Sequence, residues 1–273
     1  MNGVFKAKLI HLTPILASLL FGMLCTFLIS TSSIELYRIT ILPEDNIGPL
    51  LNAGYFVVLV GVGAFLLYLL LKRKSHNLIT VITGFALTTA VFMLSFIYLF
   101  ATLSRFSIPY IDAFILISSL LITILVDFTI FRVQSRVYNF IVLCLGGALG
   151  AFLGVSIPTL SAILILCFLA VYDVFAVYRG PVGKIARNGL DKLRGLSFSF
   201  KDIQIGLGDL TFYSMLASRV FYDSGLLFCF ASTVGVLIGV FLAFKMLENK
   251  GMFPGLPLPI VLGLIPLIIS LYL

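Results

Sequence analysis

Residues 158–178 decide the fold, and they read PTLSAILILCFLAVYDVFAVY. The run is long enough to cross the roughly 30 Å hydrocarbon core of a bilayer as an α-helix, yet it carries an aspartate, Asp173, near its end. A second apolar run begins at residue 203 as IQIGLGDLTFY and carries Asp209 in the same way. An ionisable side chain within a span costs about 2.5–3.5 kcal/mol on the insertion scale, so each acid is a functional candidate.

The composition of the whole chain is that of a membrane protein. Of its 273 residues, 61% are hydrophobic and only 11% are charged, against about 25% charged in a typical soluble domain. The mean hydropathy is +1.19. Such a chain lacks the polar surface that a water-soluble fold needs, which excludes a soluble enzyme, a disordered tail and a nucleic-acid-binding module. The net charge of +7 is better explained by cationic loops on one side of a membrane.

Nine apolar runs are long enough to span a bilayer, and they use most of the chain. They lie at about 10–30, 51–71, 78–103, 110–131, 137–156, 158–178, 203–221, 225–246 and 256–273. We therefore predict an all-α membrane protein with nine transmembrane helices. No small-residue cleavage site follows the first run, so we expect it to be a retained helix and not a signal peptide.

The charges of the loops predict the orientation. If the N-terminus is cytoplasmic, 15 of the 18 lysines and arginines fall in cytoplasmic segments and three fall outside. The odd number of spans then places the C-terminus outside. We expect a single membrane domain in three parts: residues 1–178, which end in the helix of Asp173, a cytoplasmic loop at 179–202, and a three-helix part at 203–273.

The two acids are predicted to lie at one depth. Asp173 precedes Arg179 by six residues and Asp209 follows Asp202 by seven, which places both about 9–10 Å inside the cytoplasmic surface if the chain is helical. Because the two helices are consecutive and antiparallel, the carboxylates can face each other. Two such groups in a low dielectric share a proton. The ionised one can then activate a water while the protonated one donates to an amide carbonyl. The alternative is that each acid is merely satisfied by a neighbouring helix.

The residues around the acids fit this chemistry. Gly206 and Gly208 remove side chains just before Asp209, which permits close backbone approach and a loosened helix start, or else serves helix packing. The prolines of 253–260, FPGLPLPI, cannot continue a regular helix upstream of the last run. The freed carbonyls there need partners around a cavity, unless the prolines simply begin a helix. Tyr172 either donates a hydrogen bond near the acids or is a core aromatic.

Three elements in this order resemble the YD, GxGD and PAL motifs of the presenilin and signal peptide peptidase family of intramembrane aspartyl proteases. They are Tyr172-Asp173, the run Gly206 to Asp209, and the PAL-like segment at residues 254–257. The resemblance covers nearly the whole chain, and it departs from the family at Gly255, where the family has alanine. It implies that Asp173 and Asp209 are the catalytic pair. The motif and substrate-binding residues that it implies are Tyr172, Gly206, Leu207, Gly208, Pro254, Gly255, Leu256 and Pro257.

The resemblance also implies an activity and a setting. The protein would be an endopeptidase that hydrolyses peptide bonds within the transmembrane helices of single-span substrates. A cytoplasmic N-terminus resembles presenilin more than signal peptide peptidase. The short loop at 179–202 resembles a single-chain microbial, archaeal homologue in a cell membrane, and does not favour autocleavage into two fragments. Nothing in the sequence demands a metal, another cofactor, a nucleic acid or the accessory subunits of gamma-secretase.

Two other functions stay open at this point. An ion or proton transporter, or a passive leak channel, would also use intramembrane carboxylates, although no internal repeat is evident and the acids cluster at one side. A type IV prepilin peptidase also uses a GxGD acid. Leu210 and Thr211 argue against it, since a lysine would be expected just after the motif. A third intramembrane acid, Asp127, is expected to reach the interface or to pair with Arg132.

Overall fold

The computed structural model describes residues 6–32, 39–73, 75–106, 109–133, 136–179, 195–250 and 252–272. A 3-10 turn, Leu9–Leu12, leads into the first helix. The first six helices are α1 (Thr13–Ser30), α2 (Gly48–Lys72), α3 (His76–Leu103), α4 (Ile111–Arg132), α5 (Arg136–Ser156) and α6 (Thr159–Tyr178). A two-stranded hairpin of β1 (Ser197–Phe200) and β2 (Ile203–Gly206) follows, and then α7 (Leu207–Lys250) and α8 (Pro257–Tyr272).

Helix α7 is a hairpin of two antiparallel arms. Gly225 interrupts it with φ 80° and ψ −174°, a left-handed conformation that glycine adopts without a steric penalty. The Sγ atom of Cys229 lies 3.3 Å from the carbonyl oxygen of Ala217, whereas twelve residues of straight helix would separate them by about 18 Å. The first arm (207–224) therefore meets the second arm (226–250) side by side.

The helices of the described residues have the length and the apolar surface of membrane-spanning helices. Seven of them are long and apolar enough to cross a membrane, with α7 counted once, and α8 is a shorter apolar helix. Large apolar side chains face outward, such as Phe65 at 53%, Phe85 at 75% and Leu125 at 65% exposure. Exposed apolar surface on this scale requires lipid as its solvent. The prediction of an integral, multi-pass, all-helical membrane protein is confirmed.

Six of the predicted apolar runs match α1 to α6 to within three residues, but the seventh was wrong at its start. Residues 203–206 form a strand, and the helix begins at Leu207. The reason is a local two-residue period: Ile203 and Ile205 are buried while Gln204 is exposed, and the strand pairs with β1. The estimate of depth that treated 203–206 as helix therefore fails. Most of the predicted loop at 179–202 lies outside the described residues.

Close backbone packing holds the first arm of α7 in the centre of the protein. In the most apolar stretch of α5, 61% of the residues are buried, whereas none are buried in the corresponding stretch of α2. A Cβ atom on Gly150 of α5 would lie 2.4 Å from the carbonyl oxygen of Thr211, and one on Gly147 would lie 2.6 Å from that of Ser18. Helices α1, α5 and α7 thus touch backbone to backbone. This packing fixes the arm that carries Asp209.

A buried arginine fastens the other end of the same arm. The Nη1 atom of Arg219 donates to the carbonyl oxygens of Gly154 (3.2 Å) and Ile157 (2.8 Å), at the end of α5. Its guanidinium also pairs with Asp223, which accepts a hydrogen bond from the hydroxyl of Thr159 at 2.8 Å. We call these five residues the arginine clasp. It joins α5 and α6 to α7. The charge pattern of the sequence predicted only that Arg219 lies on the external side.

Candidate active site

The structure brings Asp173 and Asp209 to two adjacent residues of the PAL-like segment. Asp173 lies near the end of α6, and its Oδ2 atom accepts a hydrogen bond from the backbone N–H of Leu256 at 3.0 Å. Asp209 is the third residue of α7, and its Oδ2 atom lies 3.2 Å from where a Cβ on Gly255 would be. Both carboxylates therefore border one short piece of backbone, Gly255 and Leu256.

The PAL-like segment is irregular backbone held by specific partners. Residues 252–256 are not helical, and α8 begins only at Pro257. Since proline cannot donate a backbone hydrogen bond and restricts the residue before it, Pro254 and Pro257 keep the segment out of a helix. The freed carbonyl of Gly255 accepts a hydrogen bond from the hydroxyl of Tyr213 at 2.8 Å. The segment is therefore fixed against both α6 and α7.

Tyr213 is a site residue that the sequence analysis quoted but did not select. It lies four residues after Asp209, so both side chains project from the same face of α7. It is 4% exposed, and its hydroxyl reaches the residue that borders the Asp209 carboxylate. The i, i+4 spacing from the acid was the signal that could have identified it.

A small cavity borders Asp209. Its volume is about 110 Å³, and its wall includes Gln204, Asp209, Tyr213 and Gly255. The second arm of α7 contributes Phe244 and its neighbours to the same wall. A site with a carboxylate, a phenol and an amide in its wall, and with room for a few water molecules, can hold the water that a hydrolysis consumes.

The strand before Asp209 presents a free edge. Leu207 donates to the carbonyl of Leu196 at 2.8 Å, so by alternation Gln204 and Gly206 point their backbone groups away from β1. On the far edge of the hairpin, the carbonyl of Ser197 accepts from the hydroxyl of Tyr138 at 2.7 Å. No backbone hydrogen bond from the described residues covers the edge of β2.

The remaining residues implied by the motifs have different surroundings. The ring of Tyr172 lies against Gly61 of α2, where a Cβ would be 3.6 Å from it, so the ring faces α2. A Cβ on Gly206 or Gly208 would meet nothing closer than 3.6 Å, so neither glycine is required by helix packing. Leu207 is a buried core residue.

Asp127 was expected to reach the interface or to pair with Arg132, and the structure shows no ion pair between it and Arg132. Asp127 accepts a hydrogen bond from the hydroxyl of Thr88 on α3 at 2.6 Å. Within the described ranges, the ion pair of the arginine clasp is the only one present. In those same ranges no three histidine, cysteine, aspartate or glutamate side chains are grouped to hold a metal ion.

Comparison with known proteins places this geometry in a family context. The sequence matches no protein-family model. Over 121 residues, or 40% of the chain, it is 31% identical to Presenilin-B of Dictyostelium discoideum, and the match spans only a quarter of that protein's length. Two solved structures of a presenilin family intramembrane aspartate protease, in space groups C222 and P2, have TM-scores of 0.65 and 0.64. They share 17% and 19% identity, and the alignments cover 97% and 94% of this chain and 98% and 96% of theirs. The presenilin-like fold expected from the motifs is confirmed.

Proposed function

We propose that this chain is an intramembrane aspartyl endopeptidase of the presenilin type, with Asp173 and Asp209 as its catalytic pair. One observation carries the proposal: the two carboxylates meet at Gly255 and Leu256, beside a cavity with room for water. The shared fold with presenilin family proteases supports it. The proposal includes nine spans with a cytoplasmic N-terminus and an external C-terminus, for which the two arms of α7 are counted separately.

The pair would act on an amide bond as one unit. One carboxylate is ionised and removes a proton from a water molecule, whose oxygen attacks the amide carbonyl carbon. The other carboxylic acid donates its proton to the carbonyl oxygen. The tetrahedral intermediate then collapses, the C–N bond breaks, and a proton passes to the leaving amine. Leu256 holds Asp173 in position through its backbone N–H, which a side-chain substitution does not remove.

A helical substrate must unwind before its amide bonds become accessible. The free edge of β2, whose last residue is Gly206, lies three residues before Asp209 and can pair with an extended substrate strand. The PAL-like segment borders the acids from the α8 side. We infer that the substrate strand lies between these two pieces of backbone. Gly206 and Gly208, whose missing side chains no packing contact explains, would leave room for its approach.

The substrates that we propose are single-span membrane proteins with their N-termini outside. We place the protein in the cell membrane of a microbe, in contact with the lipid bilayer and with no nucleic acid. We propose that it acts as one chain without accessory subunits.

Cleavage by the purified protein tests the function. We expect the wild type in detergent to cut a single-span substrate inside its apolar segment, with the position read by mass spectrometry of the products. The variants Asp173→Ala and Asp209→Ala should be inactive. Cleavage outside the span would favour a prepilin peptidase. Ion flux into vesicles that persists when both acids are asparagine, with no cleavage by the wild type, would favour a channel or transporter.

The limited space beside Gly255 predicts that kcat falls as the side chain at position 255 becomes larger. Gly255→Ala restores the family's residue and adds one Cβ 3.2 Å from the Asp209 carboxylate, so it should change kcat by only a few-fold. Gly255→Val adds two more methyl groups and should lower kcat by about 10²-fold, because displacement of a catalytic group by about 1 Å has that effect. Steady-state cleavage assays with the melting temperature as a folding control measure both. Equal activities would contradict the placement.

The hydroxyl of Tyr213 is predicted to position the PAL-like segment. Tyr213→Phe removes its hydrogen bond to Gly255, which is worth about 0.5–1.5 kcal/mol, so kcat should fall about two- to thirteenfold. Tyr98→Phe is the matched control, because it removes a similar 2.7 Å bond to the carbonyl of Ala148. If both variants lose stability equally and neither loses kcat, Tyr213 has only a structural role.

A further inference from the structure

An apolar groove lies between α1, α3, α4 and α5, apart from the candidate active site. Its volume is about 370 Å³, which is within the usual range of ligand pockets, and it shares no lining residue with the cavity beside Asp209. Tyr98 contributes a hydroxyl to the wall, but that group is already bonded to Ala148. Leu24 and Phe140 line the groove and are 53% and 63% exposed, so the groove opens toward lipid.

The groove runs along the helices, and one of its ends lies near the membrane surface. Along α3 its wall extends from Val91 to Thr102, which is about 16 Å of helix. On α1 the wall ends at Leu28, near the C-terminus of that helix, whereas on α5 it begins at Phe140, four residues after the start of that helix. The end at Leu28 and Thr102 is the outer one in the proposed orientation.

A cationic side chain lies at the polar end of the groove. The Nη2 atom of Arg105 donates to the hydroxyl of Thr31 at 2.5 Å and to the carbonyl of Leu28 at 3.3 Å. Since Leu28 lines the groove, the guanidinium is at its mouth. Arg105 is exposed and has no acidic partner among the residues that the structure describes. A guanidinium can bind a phosphate through two parallel hydrogen bonds.

The lining of the groove suits an acyl chain. Apart from Ser95, Tyr98 and Thr102, the residues of its wall are apolar, as the hydrocarbon of a lipid requires.

We propose that this groove is a binding site for one anionic phospholipid. An acyl chain fills the groove between the α3–α4 pair and the α1–α5 pair, and the headgroup phosphate binds Arg105. A zwitterionic lipid offers the same chain, but its headgroup cation competes with the guanidinium. One cation near the surface predicts a preference of about fivefold for the anionic lipid. The proposal does not depend on the proposed protease activity.

Tryptophan fluorescence can test this site, because the chain has no tryptophan of its own. Leu24→Trp places a probe in the groove. Ile117→Trp on α4 is the matched control, since Ile117 is 58% exposed, does not line the groove, and lies six residues from its helix end as Leu24 does. Each variant is reconstituted in nanodiscs of phosphatidylcholine and phosphatidylglycerol, with bromine on the acyl chains of one lipid at a time to quench the probe.

We expect the probe at position 24 to report about fivefold relative enrichment of phosphatidylglycerol, and the probe at position 117 to report none. Adding Arg105→Gln to the Leu24→Trp protein should abolish the enrichment without a change in its circular dichroism. Equal quenching by both lipids at position 24 would overturn the proposal. So would an enrichment that survives Arg105→Gln.

Discussion

Replacing Asp173 or Asp209 with asparagine should lower kcat for cleavage of a single-span substrate by at least about 10²-fold. Each replacement removes one half of a unit that handles two protons, and general acid–base catalysis contributes about 10²–10⁴-fold by itself. Groups that act as a unit are not additive. The double variant should therefore be no slower than either single variant. Single-turnover cleavage in detergent, followed by product mass, measures all three rates.

Asn is the appropriate replacement because it keeps the volume and the acceptor oxygen that Leu256 binds at Asp173. A matched control is Asp127→Asn, since Asp127 is also an acid within a helix but is bonded to Thr88 on α3. That variant should retain activity within a few-fold. Residual cleavage above 1% in either active-site variant, or rate losses that multiply in the double variant, would refute a paired mechanism.

Replacing Arg219 with methionine should destabilise the protein by about 3 kcal/mol. The substitution leaves the carbonyls of Gly154 and Ile157 without their donor and leaves Asp223 without its cation. Asp223→Asn should cost only about 1 kcal/mol, because Asp223 is partly exposed and the arginine keeps its carbonyl acceptors. Thermal unfolding in one detergent, with circular dichroism as the signal, compares the variants.

The control for this prediction is Lys245→Met, which removes an exposed cation from the second arm of the same helix. It should leave the melting temperature nearly unchanged. The double variant Arg219→Met, Asp223→Asn should be no less stable than Arg219→Met alone, since the uncompensated carboxylate is gone. If Arg219→Met and Lys245→Met have the same melting temperature, the arginine clasp contributes nothing to stability.

The sequence allowed good predictions wherever one physical signal dominated. Long apolar runs predicted helices α1 to α6, because the lipid core leaves the backbone no other way to satisfy its hydrogen bonds. The two acids were identified by their cost in that medium. The strand at 203–206 was missed, since Ile203, Gln204 and Ile205 alternate too briefly to stand out beside a long apolar helix. Pairing with β1 determines that residues 203–206 form a strand and not the start of the helix.

Contacts between distant residues were the other gap. The bond of Tyr213 to Gly255 joins positions 42 apart, and Arg219 reaches back more than 60 residues to the end of α5. Neither partner is visible from spacing alone. For Asp127 the sequence suggested either the interface or Arg132, whereas α3 supplies a hydroxyl from 39 residues away. Sequence distance is a poor guide to neighbours once helices pack side by side.

The unequal arms of α7 determine how water reaches the acids. Measured from Gly225, Asp209 lies sixteen residues along the first arm, about 24 Å, whereas the second arm continues for about 37 Å to Lys250. The first arm ends at Leu207, about 27 Å from Gly225, and so stops about 10 Å short of the second. Residues of the strand hairpin and of the proline-rich turn line the resulting recess. Hydration would come through this recess from one face only, so the bilayer need not be breached for hydrolysis. In the proposed orientation that face is the cytosolic one, so a membrane-impermeant solute should reach the acids from the cytosol and not from the opposite compartment.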